Sequence, residues 1–439
     1  MSGSLAGGAA HPGERLPGLL VRAAFFLFVL SIPFEFPDRD FPVEIPTIAA
    51  GLFLLATLLE PRRCYGRVPA ALLAFGAYLY AFWLAATLTG RAPFSTELYT
   101  PDYWGQVVKL FVQELEAVLV FWAGLNLMRS QQVARTALLV LAVGCLIEAA
   151  LPLLGVARTA RPQWGGGYRV AALGQNPDHN ADVLAAGLVA LLGLRYGMRE
   201  QLQRGRWLVW PAMGAIIVSL VGTGSRAGFL SLVLGLTVLM VTGARSGWAW
   251  VRTAMVMILA IAGLVYTAYS NDLMRRRLDE AMEGRFTRRE HLFPTLVQMW
   301  RERPVVGWGP VNNKYELGIR EDERVRRRRD AHNVVLEVLT ATGVVGAIPF
   351  FTGLGLCVLG AWRARRGAHG YVPLALCVSL LMANMSGNLI ASLLFWLVLA
   401  YAAAAQLRER EATGLAPPAD ETLRPAAGAP LATRSVPAN

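Results

Sequence analysis

Apolar residues recur along the chain in long runs, and the breaks between the runs are short and rich in arginine, proline or glycine. A helix needs about 20 mostly apolar residues to cross a bilayer, where its backbone hydrogen bonds must all be internal. The pattern therefore predicts an all-α, polytopic membrane protein with about twelve transmembrane helices. We place these helices near residues 16–34, 42–60, 69–89, 104–128, 133–156, 179–198, 207–223, 226–243, 249–270, 332–362, 371–386 and 388–405.

The predicted helices divide the chain into four regions. Helices one to nine fall within residues 1–270, a long loop covers 271–331, the last three helices fall within 332–405, and a tail covers 406–439. The tail is rich in proline and alanine, which predicts a disordered cytoplasmic segment. The first apolar run lacks a small-residue cleavage site, so we expect a transmembrane helix there and not a cleavable signal peptide.

Composition supports a membrane protein. Apolar types make up 55% of the 439 residues and charged types 16%, whereas charged residues average about 25% in soluble domains. The net charge of +12 would also suit a nucleic-acid-binding protein, but basic loops usually set the orientation of membrane proteins, so we expect no nucleic-acid partner. The four cysteines lack metal-ligand spacing, so we expect neither a disulfide nor a zinc site.

Arginines between the predicted helices fall into two groups. With the N-terminus in the cytoplasm, every cytoplasmic connection is basic, as the positive-inside rule requires. The outward connections near residues 157–178 and 271–331 are also rich in arginine, which the rule does not explain. Long loops are usually functional. We therefore expect these outward arginines to have a partner, although a solvated face with mixed charges is the alternative for most of them.

The second outward connection is predicted to be helical. Seven apolar residues recur near helical spacing, which indicates one or two amphipathic helices lying at the membrane surface. Gly284 and Pro294 are expected to kink or divide them, and Trp308 in the turn that follows suits a membrane interface. The seven residues are Leu273, Leu278, Met282, Phe286, Leu292, Leu296 and Met299.

One arginine lies where two apolar runs almost meet. In SLVGTGSRAGFL only residues 222–226 separate the seventh and eighth predicted helices, so Arg226 lies at the outer end of the eighth. A guanidinium is permanently charged and can bind phosphate oxygens with two N–H groups, and a helix N-terminus adds partial positive charge. This placement predicts an anion site. The alternative is an arginine that reaches toward lipid headgroups or caps the turn.

A histidine stands at the start of the tenth predicted helix, in RRRRDAHNVVLEVL. Histidine exchanges protons near neutral pH, so His332 suits a general base at a water-accessible helix entrance. The alternative is that residues 330–333 only cap the helix or contact the interface. Within the predicted helices, Lys109 and Glu148 either form an ion pair between helices or line a groove for lipid phosphate.

Four segments occur in an order that resembles the O-antigen ligase (WaaL) family: YRVAALGQNPDHNADVLA, SRAGFL, RERPVVGWGPVNN and DAHNVVLEVLTATGVVG. The resemblance covers about residues 165–405. It implies a GT-C-like glycosyltransferase in the bacterial inner membrane, with a large helical periplasmic loop and an active site that faces the periplasm. It further implies transfer of a glycan from undecaprenyl diphosphate to a sugar hydroxyl of lipid A-core in lipopolysaccharide biosynthesis, among membrane lipids and without a cofactor or metal ion.

The resemblance also implies roles for particular residues. Arg226 and Arg288 are expected to stabilise the diphosphate as it leaves, and His332 is expected to take the proton of the acceptor hydroxyl. The doublet Arg288-Arg289, and Leu292 where many relatives carry Trp, leave the register of the second arginine open. The residues expected to complete the substrate site are Arg169, Asn176, Asn180, Arg285, Arg289 and Asn333.

Other functions are compatible with the same pattern. An O-antigen polymerase or a protein O-oligosaccharyltransferase would use the same donor with another acceptor, and one dominant outward loop without a C-terminal periplasmic domain favours the ligase. A secondary transporter would also have twelve helices, but with ionisable residues near the midplane and an internal repeat. The clustering of charge at the outer face favours the enzyme.

Overall fold

The computed structural model describes residues 16–35, 44–90, 102–162, 168–197, 207–242, 251, 255, 262–263, 265–283, 289–321, 328–387 and 390–413. Within these ranges the chain is mostly helical, with one two-stranded sheet. The elements are α1 (Leu19–Ser31), α2 (Ile45–Thr57), α3 (Pro61–Cys64), α4 (Ala70–Thr89), α5 (Tyr103–Leu127), α6 (Gln131–Leu153), β1 (Arg158–Pro162), β2 (Tyr168–Ala172), α7 (Pro177–Gly197), α8 (Val209–Gly222), α9 (Arg226–Thr242), α10 (Asp272–Met282), α11 (Arg289–Glu302), α12 (Asn312–Arg320), α13 (Val334–Arg363), a 3₁₀ turn (Ala364–Arg366), α14 (Val372–Asn384) and α15 (Leu393–Ala412).

Predicted membrane helices and observed helices largely coincide. Within the described ranges, eleven of the twelve predicted segments overlap a helix, and the ninth, 249–270, lies mostly outside those ranges. By length and composition, three of the described helices can cross a membrane, namely α4, α6 and α13, and five apolar helices are shorter. The all-α prediction is confirmed apart from the small sheet. The count of twelve transmembrane helices and the periplasmic placement of the loop stay predictions.

Helix α13 packs between α4 and α15, while α14 packs on α9 and α7, and α7 packs on α6. Aromatic rings fill the space beside α13, where Phe75 of α4 meets Phe121 and Trp396 edge-on, with ring centroids 5.3 and 4.9 Å apart. Gly353 of α13 allows α4 to approach closely, because a β-carbon there would lie 2.7 Å from the ring of Phe75. This packing holds the helix whose first turn follows His332.

A β-hairpin occupies the first arginine-rich connection that is predicted to face outward, where the sequence pattern predicts no strand. β1 pairs with β2 in antiparallel register, with Arg158 opposite Ala172. Ala171 and Ala172 are buried, whereas Tyr168 is exposed. The hairpin ends shortly before α7 and so brings Arg169 to the start of that helix.

Helices α10 and α11 form the part of the long connection that is predicted to be amphipathic. Pro294 lies inside α11 and does not end it. Gly284, which is expected to divide the helices, lies outside the described residues, as does Phe286. Helix α12 is an additional helix that the apolar pattern does not indicate.

The apolar face of α11 is buried within the protein. Leu292, Leu296 and Met299 form a local core together with Trp308. The indole Nε1 of Trp308 donates a hydrogen bond to the carbonyl oxygen of Met299 (2.8 Å), and the guanidinium carbon of Arg303 lies 4.0 Å from the centroid of the indole ring. The prediction that Trp308 anchors to the interface is therefore wrong, because this local core buries it. The core also buries the apolar face of α11, and the position of this helix relative to the membrane stays a prediction.

Helix α13 is interrupted at Gly343, whose φ of 59° and ψ of −161° are not helical. The turn at residues 304–309 docks on this interruption. The amide of Val344 donates to the carbonyl oxygen of Pro304 (2.9 Å), and the amide of Gly309 donates to the carbonyl oxygen of Ala341 (3.0 Å). The PVVGWG turn and the helix after His332 therefore form one structural unit.

Candidate functional site

The turn between α8 and α9 places Arg226 as the first residue of α9. Ser225 precedes it, and its hydroxyl oxygen accepts a hydrogen bond from the amide of Gly228 (3.3 Å), which is the pattern of a helix N-cap. Because Ser225 caps the helix, Arg226 does not. The guanidinium of Arg226 donates from Nη1 to the main-chain oxygen of Arg277 (2.9 Å), which ties the turn to α10.

Arg169 of β2 joins three elements at this turn. Its Nη2 and Nη1 donate to the two carboxylate oxygens of Asp178, at 2.7 and 3.4 Å, and its Nε donates to the main-chain oxygen of Thr223 (2.7 Å). Asp178 also accepts a hydrogen bond from the hydroxyl of Ser225 (2.7 Å). Arg169, which is predicted to complete the substrate pocket, therefore lies beside Arg226 and links the hairpin, α7 and the turn.

Arg277 of α10 is a third arginine at this place, and the sequence predictions do not include it. Its side chain is 8% exposed. Burial and the nearby Arg169 lower the pKa of Arg277 to about 10, against the opposing effect of Asp178. Helical spacing could have revealed this arginine, because residues 273, 274, 277 and 278 share one face of α10 and the other three are apolar.

His332 lies two residues before the first residue of α13. The side chain of its neighbour Asn333 caps the helix by accepting hydrogen bonds from the amides of Val335 (3.0 Å) and Leu336 (3.1 Å). His332 itself is half-buried and has a φ of 50°, which residues other than glycine adopt infrequently. Asn333 therefore caps the helix, and His332 does not. The backbone conformation of His332 places its imidazole at the start of α13.

A charged cluster holds the segment before His332. The Nζ of Lys314 lies 2.7 Å from a carboxylate oxygen of Asp330 and 3.8 Å from one of Glu337. Burial favours the neutral amine of Lys314, but Glu337 and Asp330 outweigh it and raise its pKa above the ordinary value. Burial alone would raise the pKa of Asp330. Lys314 and, to a smaller extent, His332 outweigh burial and hold this pKa below the ordinary value. Asp330 is therefore electrostatically coupled to His332.

The last residues of α14 and the turn after it connect the His332 segment with α7. The side-chain amide of Asn333 donates to the main-chain oxygen of Met385 (3.3 Å). Two residues further on, a β-carbon at Gly387 would lie 3.9 Å from a carboxylate oxygen of Asp182, one turn after Asp178 in α7. The segment at residues 385–387 thus lies next to Asn333 and to α7, and Arg169 contacts the first turn of the same helix α7 through Asp178.

The two asparagines predicted for the substrate site have local partners. The side-chain oxygen of Asn176 accepts from the amide of Asp178 (3.0 Å) and so caps α7. Asn180 is buried and donates to Glu148 and to the side-chain oxygen of Gln175 (3.1 Å). The ion pair predicted between Lys109 and Glu148 is wrong, because Lys109 is exposed on α5 whereas Glu148 is fully buried against Asn180.

Three further arginines are predicted for the site. Arg285 and Arg288 lie outside the described residues, and Arg289 is the first residue of α11. In the part of the chain that the structure describes, no group of three or more His, Cys, Asp or Glu side chains could hold a metal ion.

The structure describes two groups of candidate residues, namely the arginines at the start of α9 and the histidine that precedes α13, and the segment at residues 385–387 contacts the elements that carry both. Residues 211–351 match the model of a family described as O-antigen ligase. This segment contains Arg226, Arg277, the turn at 304–309 and His332. The predicted resemblance is confirmed over this segment, and together with the apolar helices it indicates a membrane protein. No curated protein matches the chain.

Proposed function

We propose that this chain is an O-antigen ligase, which transfers a glycan from undecaprenyl diphosphate to a sugar hydroxyl of lipid A-core at the periplasmic side of the inner membrane. The observation that carries the proposal is the convergence of Arg169 and Arg226 on the turn that starts α9, at the beginning of the segment that matches the family. A lipid-linked diphosphate is the anion that such a site would serve in this family.

The arginines would act on the leaving group. As the bond between the anomeric carbon and the diphosphate oxygen breaks, negative charge grows on that oxygen, and preorganised cations lower the energy of this transition state. Arg226 stands at the N-terminus of α9, where the helix adds partial positive charge. Arg288, which directly precedes the first residue of α11 in the long connection, is the second arginine that we assign to the diphosphate.

His332 would act on the acceptor. The sugar hydroxyl attacks the anomeric carbon, and the imidazole takes its proton as the new carbon–oxygen bond forms. The φ of His332 supports a functional role, because strained backbone is often found where a site must hold a side chain in one position. Asn333 fixes the helix start through its cap, and Asp330 supplies a negative charge near the imidazole.

The test is a reconstituted ligation. Purified protein is incubated with undecaprenyl-diphosphate-linked glycan and lipid A-core, with a chelator present, and ligated lipopolysaccharide is the expected product. A reaction that lengthens the lipid-linked glycan without lipid A-core would identify a polymerase, and glycan on a protein acceptor would identify a protein O-oligosaccharyltransferase. Uptake of a labelled solute into proteoliposomes, with no transfer product, would instead favour a transporter.

A further inference from the structure

We propose that Arg277 is a phosphate-binding residue of the donor site, and that it binds the diphosphate together with Arg226 at the start of α9. The proposal rests on the function proposed above for the identity of its ligand. The ligand chemistry is that of phosphoryl oxygens carried by a membrane lipid.

The side chain of Arg277 lies across the turn that precedes Arg226. Gly224 in this turn has a φ of 62°, and a β-carbon there would lie 3.8 Å from Cδ of Arg277 and 2.9 Å from the side chain of Leu273. The main-chain oxygen of Arg277 accepts the hydrogen bond from Arg226. α10 therefore covers the turn, and the two arginines meet at the N-terminus of a helix of 17 residues.

The guanidinium of Arg277 has hydrogen-bonding capacity that the protein does not use. Its Nε and Nη1 are buried and have no hydrogen-bond partner among the described residues. Buried polar groups in proteins are nearly always hydrogen-bonded, and a buried charge without a partner is costly. Two unused donors beside the N-terminus of α9 therefore point to an acceptor that is a ligand.

The charges around Arg277 select an anion. Arg169 and Arg226 act on it as like charges, whereas Asp178 and Glu280 act as opposite charges, and Asp178 is already hydrogen-bonded to Arg169 and Ser225. Positive charge at the site thus exceeds negative charge. A diphosphate carries several acceptor oxygens and enough charge to balance two guanidinium groups, and helix N-termini bind phosphates in the same way.

Binding of undecaprenyl diphosphate to purified Arg277→Gln in detergent tests this assignment. Loss of a charge-assisted hydrogen bond should weaken binding by roughly 10- to 100-fold. Arg276→Gln is the matched control, because Arg276 is the exposed neighbour on the same helix, and its affinity should equal that of the wild type. Equal affinity in both variants, or an equal loss in both, would overturn the proposal.

Two further ligands distinguish the sources of phosphate. Inorganic pyrophosphate should compete with undecaprenyl diphosphate in the wild type and compete much less in Arg277→Gln. Nanodiscs that contain phosphatidylglycerol should not compete, and if they do so in an Arg277-dependent manner, the residue binds general lipid headgroups and the donor assignment is wrong.

Thermal unfolding without ligand separates binding from scaffolding. Because the guanidinium of Arg277 is buried with Nε and Nη1 lacking hydrogen-bond partners among the described residues, Arg277→Gln should unfold at the same temperature as the wild type or at a higher one. The stabilisation that undecaprenyl diphosphate gives to the wild type should be lost. A lower unfolding temperature with unchanged ligand stabilisation would show that Arg277 is structural.

Failure of the proposed function and failure of the Arg277 assignment would give different experimental results. Arg277-dependent binding of undecaprenyl diphosphate without any glycan transfer would leave the binding site in place and exclude the ligase. Glycan transfer in which Arg277→Gln has the wild-type KM for the donor and the wild-type rate would leave the ligase in place and exclude Arg277.

Discussion

The amide of Trp308 donates a 2.7 Å hydrogen bond to the carbonyl oxygen of Thr340, which lies three residues before the interruption of α13 at Gly343. A regular helix would use this oxygen for its own amide at position 344, but that amide bonds Pro304 instead. The interruption therefore exchanges helical hydrogen bonds for bonds to the turn at 304–309. The long loop is thereby attached to the helix that His332 precedes.

We expect Gly343→Ala to disrupt this attachment. A β-carbon at this position would overlap the backbone of Val305 and lie 2.6 Å from the nitrogen of Val306, and the φ of 59° adds strain of about 1–3 kcal/mol. Gly355→Ala in the same helix is the control, because nothing lies within 4 Å of its β-carbon and alanine favours a helix by about 1 kcal/mol. Thermal unfolding in detergent should show a clear loss for the first variant only, and equal stability of both would contradict the docking.

Substitution of His332 should separate catalysis from binding. His332→Ala is expected to abolish glycan transfer while donor binding and membrane insertion persist, because only the proton acceptor is removed. His332→Gln can still hydrogen-bond the acceptor hydroxyl but cannot take its proton, so it should also be inactive. Transfer rates near the wild type in the Gln variant would show that residue 332 only positions the sugar.

The coupling between Asp330 and His332 predicts a change in the pH profile. Wild-type transfer should fall as the pH drops, because a protonated imidazole cannot take the proton of the acceptor hydroxyl. Asp330 stabilises the protonated imidazole because the attraction that lowers the pKa of Asp330 is mutual. In Asp330→Asn the acid limb should move to lower pH, because the protonated imidazole loses a stabilising negative charge. Asp279→Asn, on α10, should leave the limb in place, and a move to higher pH in Asp330→Asn would refute this coupling.

Local patterns predict the helix starts well, whereas contacts between distant segments decide the rest of the site. Arg226 and the start of α13 beside His332 follow from apolar runs and a capping residue, both of which are local. The burial of Arg277 depends on α10 packing over a turn 51 residues earlier in the chain. Tryptophan is common at membrane interfaces, but Trp308 instead packs against the apolar face of α11. Glu148 pairs with Asn180 for the same kind of reason, since α6 packs on α7.

Arg226→Lys should test whether geometry matters at the start of α9. Lysine keeps the charge but loses the two-pronged contact with phosphate oxygens, so kcat/KM for the donor should fall by roughly 100- to 1000-fold while the protein still inserts. We expect the same of Arg288→Lys. Arg328→Ala removes an exposed arginine of the loop and should be mild. Similar losses in all three variants would mean that the loop acts as a diffuse basic surface.

The proposed function requires His332 at the periplasmic face, so the orientation of α13 tests it. α13 and its 3₁₀ extension are long and apolar enough to cross a membrane, so residues before Val334 and after Arg363 should lie on opposite sides.

Arg328 and Arg366 are exposed at these two ends. Single cysteines at these positions, in a background without the four buried native cysteines, can be labelled in intact cells with a membrane-impermeant maleimide. Arg328→Cys should react from outside and Arg366→Cys only after the membrane is permeabilised. The reverse pattern would place His332 in the cytoplasm, away from the donor, and would exclude the ligase.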